Sequence, residues 1–278
     1  MGSDLEWLVE AAKEGDKKAL EDVILKIQDK IYGLALRMLY SPSDAEDAAQ
    51  EILIKIITHL GTFRGESAFT TWMYRVAVNH LLTLRRRQPE LEAVSFEEYE
   101  KSLELDSPID WQESRSSALQ NIYVEEIMIS CLQGLLLCLD REHRLAFLLV
   151  EVFDVSSEQG AAILEITPTA FRKRLSRARE RIQDFLMRNC ALINPDNPCT
   201  CQRYLISQRY MEKVAERDLV FAKHPCRYRQ GEGVHRIKEM DELTHIAALY
   251  KQYPDFHAPS TLIKNIRDLV HSNKYELL

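Results

Sequence analysis

The sequence predicts an all-α protein, and three observations lead to that prediction. Apolar residues recur at intervals of three and four along most of the 278 residues, which is the period of an amphipathic helix. Nine glycines and nine prolines are too few for the many tight turns of a propeller or a Rossmann fold. No long segment alternates apolar and polar residues as a strand does. A hydrophobic fraction of 46% is enough to form packed cores, so the composition excludes wholesale disorder.

The N-terminal elements are predicted to be helices in succession. Two amphipathic segments come first, at residues 5–12 and 20–34. The sequence from Ser41 to Asp44 then predicts a turn and an N-cap, so a new helix begins close to Asp44. A loop with two glycines follows at residues 61–67, and another helix starts near Thr70.

The helix that begins near Asp44 carries an acidic stripe. Asp44, Asp47 and Glu51 fall on one side of it, with Gln50 beside them, and apolar residues fall on the opposite side. Acidic residues in a first turn suit the positive end of the helix dipole, which is a purely structural explanation. The same stripe is also suited to docking a helix of a partner protein. The sequence leaves both explanations open.

The next helix combines an aromatic residue with basic residues on one face. Four residues lie within about 60° of one another around its axis: Trp72, Arg75, Asn79 and Arg86. Aromatic stacking together with arginine contacts to phosphates is typical of surfaces that bind single-stranded DNA. The preceding loop, with two glycines and Ser67, has enough backbone freedom to wrap a flipped base. The alternative is that Trp72 simply packs under this loop.

Charge is strongly segregated although the net charge is −7. Residues 64–87 hold five arginines and one glutamate, and residues 166–181 hold six basic residues and one glutamate. Residues 89–118, between them, hold nine acidic and two basic residues and lose the apolar period, as expected of a linker. Basic clusters on an acidic protein indicate local phosphate binding. The predicted organisation is a helical domain, an acidic linker, a second helical domain and a C-terminal extension: residues 1–88, 89–120, 121–189 and 190–278.

A helix-turn-helix is predicted inside the second domain. Ser156 and Gln159 match a capping box, and Gly160 lets a second helix cross the short helix closely. Thr167 followed by Pro168 is typical of an N-cap and a first helical residue. The second helix exposes four residues suited to contacts in a major groove: Thr169, Arg172, Lys173 and Ser176. It also exposes three arginines suited to the DNA backbone: Arg177, Arg179 and Arg181. The alternative is a bundle helix with a basic exterior.

The C-terminal extension contains candidate metal ligands. Four soft ligands in two pairs suit a tetrahedral zinc ion: Cys199, Cys201, His224 and Cys226. The spacing between the pairs matches no common zinc finger, so redox-sensitive thiols and no chemistry at all stay as alternatives. Cys131 and Cys138 lie in an apolar helix and are expected to be packed thiols. Zinc is therefore the one cofactor that the sequence raises.

Several classes of protein are excluded by the sequence. No apolar run reaches the roughly 18–20 residues of a membrane span, and the N-terminal segment lacks the basic and apolar regions of a signal peptide. Six cysteines without an export signal are expected to be reduced thiols in a cytoplasm. We find no nucleotide-binding glycine loop and no set of metal-binding carboxylates, so the chain is expected not to be an enzyme.

Three segments together resemble the extracytoplasmic-function (ECF) sigma factors, the promoter-specificity subunits of bacterial RNA polymerase. These segments are Asp44–Glu51 (DAEDAAQE), Phe69–Asn79 (FTTWMYRVAVN) and Phe171–Arg179 (FRKRLSRAR). The resemblance covers roughly residues 5–188, and the three motifs are jointly specific. The family usually has Gly-Thr-Val at the start of the recognition helix, where this chain has Thr169-Ala-Phe171, so a promoter sequence cannot be transferred.

The resemblance implies a role for each segment. Residues 1–88 would be sigma region 2. Its acidic stripe would dock on the clamp helices of the largest polymerase subunit through four residues of this chain: Asp44, Asp47, Gln50 and Glu51. The same region would melt the minus-ten element and read its non-template strand. The residues that would contact this strand are Phe63, Arg64, Trp72, Arg75, Asn79 and Arg86. Residues 121–189 would be region 4, which meets the polymerase flap and reads the minus-thirty-five element as duplex: Thr169, Arg172, Lys173, Ser176, Arg177 and Arg179. The acidic linker would thread towards the RNA exit path.

Regulation and two other functions stay open on the sequence alone. An anti-sigma factor, or the C-terminal extension folded against the core of the same chain, would restrain a sigma factor of this kind. A helix-turn-helix regulator that acts without polymerase is one alternative, and it would bind duplex DNA tightly by itself. A zinc or thiol sensor with a DNA-binding output is the other.

Overall fold

Helices make up most of the described part of the protein. The computed structural model describes residues 2–87, 94–103, 117–205, 221, 226–227, 246, 249–250 and 255–271. The helices are α1 (Gly2–Lys13), α2 (Lys17–Leu39), α3 (Pro42–Thr58), α4 (Phe69–Arg87), α5 (Phe96–Ser102), α6 (Ser117–Leu137), α7 (Arg141–Phe147), α8 (Ser157–Ile163), α9 (Pro168–Asn189), α10 (Cys201–Leu205) and α11 (Ser260–His271). The described residues also form a 3₁₀ turn (Leu60–Thr62), a π-helical turn (Leu148–Val152) and two short strands, β1 (Cys226–Arg227) and β2 (Asp255–Phe256). The all-α prediction is confirmed. No helix in these ranges is both long and apolar enough to span a bilayer.

The chain forms two compact units that interleave along the sequence. Unit 1 consists of Met1–Glu90, Leu148–Arg174 and Asp255–Leu278, and unit 2 consists of Leu91–Phe147 and Leu175–Pro254. Unit 1 therefore combines the first predicted domain with the first part of the helix-turn-helix and the end of the chain. The predicted domain boundaries at residues 88, 120 and 189 follow the order of motifs along the chain, and they stay a prediction.

Helix α2 is the centre of unit 1. It begins where the carboxylate of Asp16 accepts hydrogen bonds from the backbone N–H groups of Lys18 and Ala19. Such an N-cap contributes about 1 kcal/mol, because it satisfies donors that have no partner inside the helix. The helix ends at Tyr40, which has a left-handed backbone (φ 67°). Between these ends the apolar face of α2 packs against α1, α3 and α11.

Helices α3 and α4 position the predicted functional residues of unit 1. Helix α3 starts at Pro42, with Ser41 as N-cap, so it begins two residues before the predicted position. The Ser41 hydroxyl accepts a hydrogen bond from the backbone N–H of Asp44 over 3.3 Å. Ala45, Ala49 and other apolar residues of α3 are buried, and α4 packs against the same bundle.

The predicted helix-turn-helix is present with the predicted caps. The hydroxyl of Ser156 accepts a hydrogen bond from the backbone N–H of Gln159, whose side chain accepts one from the backbone N–H of Ser156. Glu165 has a left-handed backbone (φ 54°) in the turn between α8 and α9. The Thr167 hydroxyl accepts from the backbone N–H of Ala170 over 3.2 Å, so α9 begins at its predicted cap.

Helix α8 is enclosed by two neighbours in unit 1. A side chain added at Gly160 would place its Cβ 2.3 Å from the ring of Phe171, so a larger residue there would displace the first turns of α9. The other side of α8 packs against α4. Gly160 therefore permits the close helix crossing that its position in the sequence predicts.

Helix α11 returns the end of the chain to unit 1. Leu262, Ile266 and Val270 are buried and recur every four residues, which places them on one stripe of the helix. The stripe packs against α2 and α3. Helix α11 is therefore attached to the N-terminal helices through this stripe.

Unit 2 contains a helix that the sequence analysis missed. The acidic segment is predicted to be a linker, and within it residues 96–102 form α5, with a capping box between Ser95 and Glu98. The rings of Phe96 and Tyr99 lie 5.9 and 5.7 Å from the ring of Phe185 on α9. The hydroxyl of Tyr99 also donates to the backbone carbonyl of Cys131 on α6 over 2.9 Å. Tertiary packing of two aromatic residues explains this helix.

A buried arginine fixes the turn between α6 and α7 in unit 2. Arg144 is 3% exposed, and its guanidinium donates to the backbone carbonyls of Leu136, Leu137 and Leu139. These carbonyls have no partner inside α6, because they belong to its last turn and the following bend. Arg144 therefore caps α6 from outside the helix.

Candidate nucleic-acid and partner interfaces

The acidic stripe of α3 lies on the surface of unit 1. Asp44, Asp47 and Glu51 are exposed and Gln50 is half-buried. The opposite side of α3 is fully buried, so the helix is held rigidly while its acidic side remains accessible. Asp47 and Glu51 lie beyond the first turn of α3, where the dipole explanation is weak. The stripe is thus well placed to bind a partner.

His80 of α4 connects the stripe to the helix behind it, and the sequence analysis did not single it out. The ammonium of Lys55 donates to Nδ1 of His80 over 2.6 Å, which places the proton of the neutral ring on Nε2. That Nε2 lies 3.6 Å from Oε2 of Glu51. Burial and the neighbouring Lys55 charge lower the pKa of His80, against the opposite influence of Glu51. A lone histidine in an apolar pattern carries no motif that would have revealed this contact.

Trp72 belongs to a cluster of three aromatic rings. The ring centroids of Phe63 and Phe69 are 5.4 Å apart, and Trp72 lies 5.7 and 5.6 Å from them respectively. Phe63 is 6% exposed and Phe69 is 1% exposed, whereas Trp72 is half-buried. Trp72 therefore packs against Phe63 of the loop, as the structural alternative predicts, and part of its surface stays exposed, while stacking on a base stays a prediction. Phe63 is predicted to contact DNA, but its side chain has little solvent-exposed surface in this conformation and packs against the Trp72 ring.

The polar residues around Trp72 differ in exposure. Arg64 and Asn79 are exposed, and Arg75 is half-buried. The Nε of Arg75 is buried and makes no hydrogen bond within the described residues. An unmade hydrogen bond at a buried donor costs free energy that a phosphate contact would recover. Arg86 lies on α4, but its side chain falls outside the described residues.

Arg37 is a second residue that the sequence analysis missed. It is 3% exposed, and its guanidinium lies 5.8 Å from the ring centroid of Phe153 and 5.0 Å from that of Phe256. Phe153 also contacts Tyr74 of α4, with ring centroids 5.5 Å apart. The one sequence signal was a charged residue inside an otherwise apolar segment of α2. Arg37 joins three parts of unit 1 that are distant in sequence.

The recognition helix exposes most of the residues predicted to contact duplex DNA. The apolar residues of α9 are buried on the opposite side of the helix. Arg179 is half-buried, and the other five predicted contact residues are exposed: Thr169, Arg172, Lys173, Ser176 and Arg177. Nη1 of Arg172 lies 3.9 Å from Oε1 of Glu158, and both side chains are more than half exposed (56% and 71%). An exposed pair of this length contributes little, so Arg172 can exchange Glu158 for DNA at small cost.

Two of the four predicted zinc ligands have described side chains. Cys199 and Cys201 are half-buried in unit 2, His224 lies outside the described residues, and Cys226 forms β1 with a side chain that is not described. Within the described ranges, no group of three or more His, Cys, Asp or Glu side chains is close enough to hold a metal ion. Zinc binding by these four residues therefore stays a prediction.

The thiols of unit 2 have the properties of packed side chains. Cys190 and Cys199 pair in an isolated parallel bridge, and the backbone N–H of Ala191 donates to the carbonyl of Cys199 over 3.1 Å. Burial raises the pKa of both thiols, and it raises the pKa of Cys201 to about 12. A thiol is a nucleophile and a metal ligand as the thiolate, so raised pKa values give no support to a thiol sensor.

Comparison with protein families gives two matches, which fall on the two predicted DNA-binding domains. The sigma-70 region 2 family matches residues 23–89, which include α3 and α4. The family described as sigma-70, region 4 matches residues 129–182, which include the helix-turn-helix. The two matches follow the same order as the predicted domains.

Curated relatives match nearly two thirds of the chain. The RNA polymerase sigma-H factor of Pseudomonas aeruginosa is 36% identical over 183 residues, which is 64% of this chain and 92% of the relative. The ECF RNA polymerase sigma-E factor of Escherichia coli is 34% identical over 187 residues, which is 64% of this chain and 91% of the relative. This chain is therefore longer than either relative.

Two solved structures show a limited likeness to this chain. One is described as CnrH in complex with the cytosolic domain of CnrY, with a TM-score of 0.47, 19% identity, and coverage of 66% of this chain and 97% of that chain. The other is described as the sigma factor RpoE in complex with the anti-sigma factor NepR from Bartonella quintana, with a TM-score of 0.43, 22% identity, and coverage of 61% and 97%.

Proposed function

The chain belongs to the ECF group of RNA polymerase sigma factors, and on this premise we propose how its surfaces divide the steps of transcription initiation. A sigma factor directs the polymerase to promoters and starts transcription there. We propose that α3 binds core polymerase, that α4 with its preceding loop reads the melted minus-ten element, and that α9 reads the minus-thirty-five element. The observation that carries the proposal is that each of these helices buries its apolar side and leaves the described polar residues assigned to it exposed or half-buried.

The polymerase contact is assigned to the acidic stripe of α3. Asp44, Asp47 and Glu51 offer carboxylates along one side of a rigid helix, and Gln50 adds a neutral hydrogen-bonding group at the edge. Charged rows of this kind steer a complementary basic helix and set its register. The partner surface is the clamp of the largest polymerase subunit, with the flap as a second contact for the helix-turn-helix.

The minus-ten contact is assigned to the open edge of the aromatic cluster. Trp72 provides a ring on which an unpaired base can stack, and Arg75 and Asn79 provide donors next to it. Arg64 adds an exposed positive charge in the preceding loop, Arg86 is proposed to contact the same strand, and Phe63 packs against the Trp72 ring. The arrangement suits a single strand, since a duplex does not expose the faces of its bases.

The minus-thirty-five contact is assigned to α9. Arg172 and Lys173 are long donors for base edges and phosphates, and the small hydroxyls of Thr169 and Ser176 allow close approach to the groove. Arg177 and Arg179 contact the backbone in this proposal. The helix-turn-helix geometry, with α8 behind α9, is the geometry that places such a helix in a major groove.

The remaining segments complete the proposal. Sigma factors are non-catalytic initiation factors, so the phosphodiester chemistry belongs to the polymerase and this chain is proposed not to be an enzyme. It is proposed to act in the cytoplasm, where polymerase and promoter DNA are found. The acidic linker is proposed to follow the RNA exit path, since its negative charge imitates nucleic acid.

Run-off transcription tests the proposed function directly. Core polymerase is assayed on a promoter library with and without the full chain, and we expect discrete transcripts in its presence alone. The doubly substituted variant Asp47→Asn with Glu51→Gln is expected to lose transcription through weaker binding to core, with its helix content unchanged. Transcripts that do not depend on the chain would contradict the assignment.

The alternative, a helix-turn-helix regulator that acts without polymerase, accounts for the recognition helix but not for the match to sigma-70 region 2. The two candidates differ in one measurement. A sigma factor binds promoter duplex weakly until core polymerase is added, whereas an independent regulator binds tightly alone. Tight binding by the full chain alone, with no gain from core polymerase, would favour the regulator.

The restraining partner is proposed to be part of the chain itself. A separate anti-sigma factor and the C-terminal extension are the two candidates. The contacts of residues 255–271 with α2 and α3 favour the extension, since they place it on the helix assigned to core polymerase.

A further inference from the structure

The end of the described chain is bound to helix α2 at a single carboxylate. Asp29 accepts a hydrogen bond from Nδ1 of His257 over 2.7 Å and another from the backbone N–H of Ala258 over 2.9 Å. The two acceptors of one carboxylate are thus occupied by two consecutive residues of the extension. Such a paired contact fixes both the position and the direction of the segment.

The following helix is held by an apolar stripe with polar contacts beyond it. Leu262, Ile266 and Val270 of α11 are at most 1% exposed, so the stripe is covered along its whole length. The Thr261 hydroxyl donates to a carboxylate oxygen of Glu46, which directly precedes Asp47 of the acidic stripe on α3. The extension therefore touches the helix that is assigned to core polymerase.

Arg37 couples the extension to the helix-turn-helix. Its guanidinium contacts Phe256 of the extension and Phe153, which lies shortly before α8. Phe153 in turn contacts Tyr74 on α4. One buried cation therefore holds the extension and the segment leading into α8 against the same N-terminal bundle.

The contact between α8 and α4 is incompatible with simultaneous use of both DNA surfaces. Elements centred at minus ten and minus thirty-five are about 25 base pairs apart, which at roughly 3.4 Å per pair is about 85 Å along a straight duplex. Helices α4 and α8 pack directly, and α9 starts five residues after α8 ends. The two surfaces are then separated by a few helix diameters of about 10–12 Å each. The described arrangement of unit 1 must open before both elements are bound.

We propose that residues 255–271 form an intramolecular clasp that keeps unit 1 closed and that core polymerase displaces. The inference rests on the proposed function and adds its regulation. Binding of core polymerase to α3 competes with the extension at Glu46, and release of the extension frees Arg37 and Phe153 so that α8 can leave α4. The free chain is therefore restrained without a separate inhibitor.

The test weakens the clasp at a residue outside the assigned interfaces. Ile266→Asp places a carboxylate in the buried stripe of α11, and Lys264→Asp places the same group on its exposed side as the matched control. Affinity for core polymerase is measured by biolayer interferometry with full-length chains, together with run-off transcription at limiting core. We expect Ile266→Asp to bind core on the order of tenfold more tightly, because a larger fraction of the chain is already open. Lys264→Asp is expected to behave as wild type.

Two further measurements separate release of the clasp from misfolding. Hydrogen exchange is expected to accelerate in α11 and on the covered side of α2 in Ile266→Asp, while the core of α3 stays protected. A synthetic peptide of residues 255–271 added in trans is expected to restore the wild-type affinity for core polymerase. Equal core affinity of wild type and Ile266→Asp, with accelerated exchange in α11, would overturn the clasp and leave the sigma activity intact. Absence of transcription from every chain at saturating core would instead contradict the proposed function.

Discussion

Trp72 combines an observed packing contact with a proposed DNA contact. Its ring packs against Phe63 and Phe69, and its exposed part is proposed to stack on an unpaired base. The arginine neighbours of Trp72 in the sequence indicate its candidate role. Its partial burial depends on the tertiary contact with the loop, which the structure shows. Substitutions at Trp72 must therefore be examined for stability and for DNA opening separately.

Replacing Trp72 by alanine is expected to impair promoter opening more than closed-complex formation. Loss of base stacking removes about 1–3 kcal/mol per base, which corresponds to roughly a 5- to 150-fold loss of open complex. Fluorescence of 2-aminopurine in the minus-ten element measures opening, and gel shift with cold holoenzyme measures the closed complex. Trp72→Phe retains a ring and serves as the control. Equal loss of both complexes would show that Trp72 is structural.

His80 makes the stability of unit 1 depend on pH. Its pKa is lowered in the folded protein from the ordinary value of 6.5, so below pH 6.5 the unfolded chain binds a proton that the folded chain does not. The free energy of unfolding therefore falls as the pH falls through 6.5, with a slope of at most about 1.4 kcal/mol per pH unit from this group.

The variant His80→Gln is expected to reduce this dependence on pH, since glutamine keeps an acceptor for Lys55 and does not titrate. Urea denaturation of both proteins between pH 5 and 7.5 measures the difference. His271, which is exposed, provides the control substitution His271→Gln. Parallel stability curves for wild type and His80→Gln would contradict the lowered pKa.

At the scale of elements, local sequence signals predict some helices, whereas others depend on tertiary packing. The caps of α3, α8 and α9 were predicted from a few neighbouring residues, because a cap is a contact within one turn. Helix α5 was missed although Ser95 and Glu98 form a capping box, since the surrounding acidic composition outweighed that signal. Its aromatic contacts reach Phe185, about ninety residues along the chain, and such a partner cannot be read from a local window.

The recognition helix carries a prediction about salt. Lys173→Ala is expected to weaken binding of minus-thirty-five duplex by a similar factor for all sequences and to reduce the slope of log affinity against log salt by about 1. Fluorescence anisotropy of the holoenzyme with short duplexes measures both quantities. Lys264→Ala removes an exposed lysine from α11 and is expected to change neither quantity. A loss confined to one duplex sequence would mean that Lys173 reads a base instead of a phosphate.

At the scale of the whole molecule, the order of segments along the chain differs from their arrangement in space. Unit 1 takes its parts from the beginning, the middle and the end of the sequence, and unit 2 takes the rest. The proposed clasp follows from this interleaving, because residues 255–271 meet α2 and α3 inside unit 1. Its test accompanies the proposal above, and its outcome decides whether the longer chain regulates itself.

The sequence by itself determined the helical class, the helix-turn-helix with its caps, the segregation of charge and the sigma-factor family. These features depend on residue types at short spacing, so each is encoded within one or two turns of chain. Tertiary structure alone decided that Arg37 lies between Phe153 and Phe256 and that Asp29 accepts from Ala258. Those contacts join residues more than one hundred positions apart, and their free energy exists only after the helices have packed, so no local pattern records which partner each residue will meet.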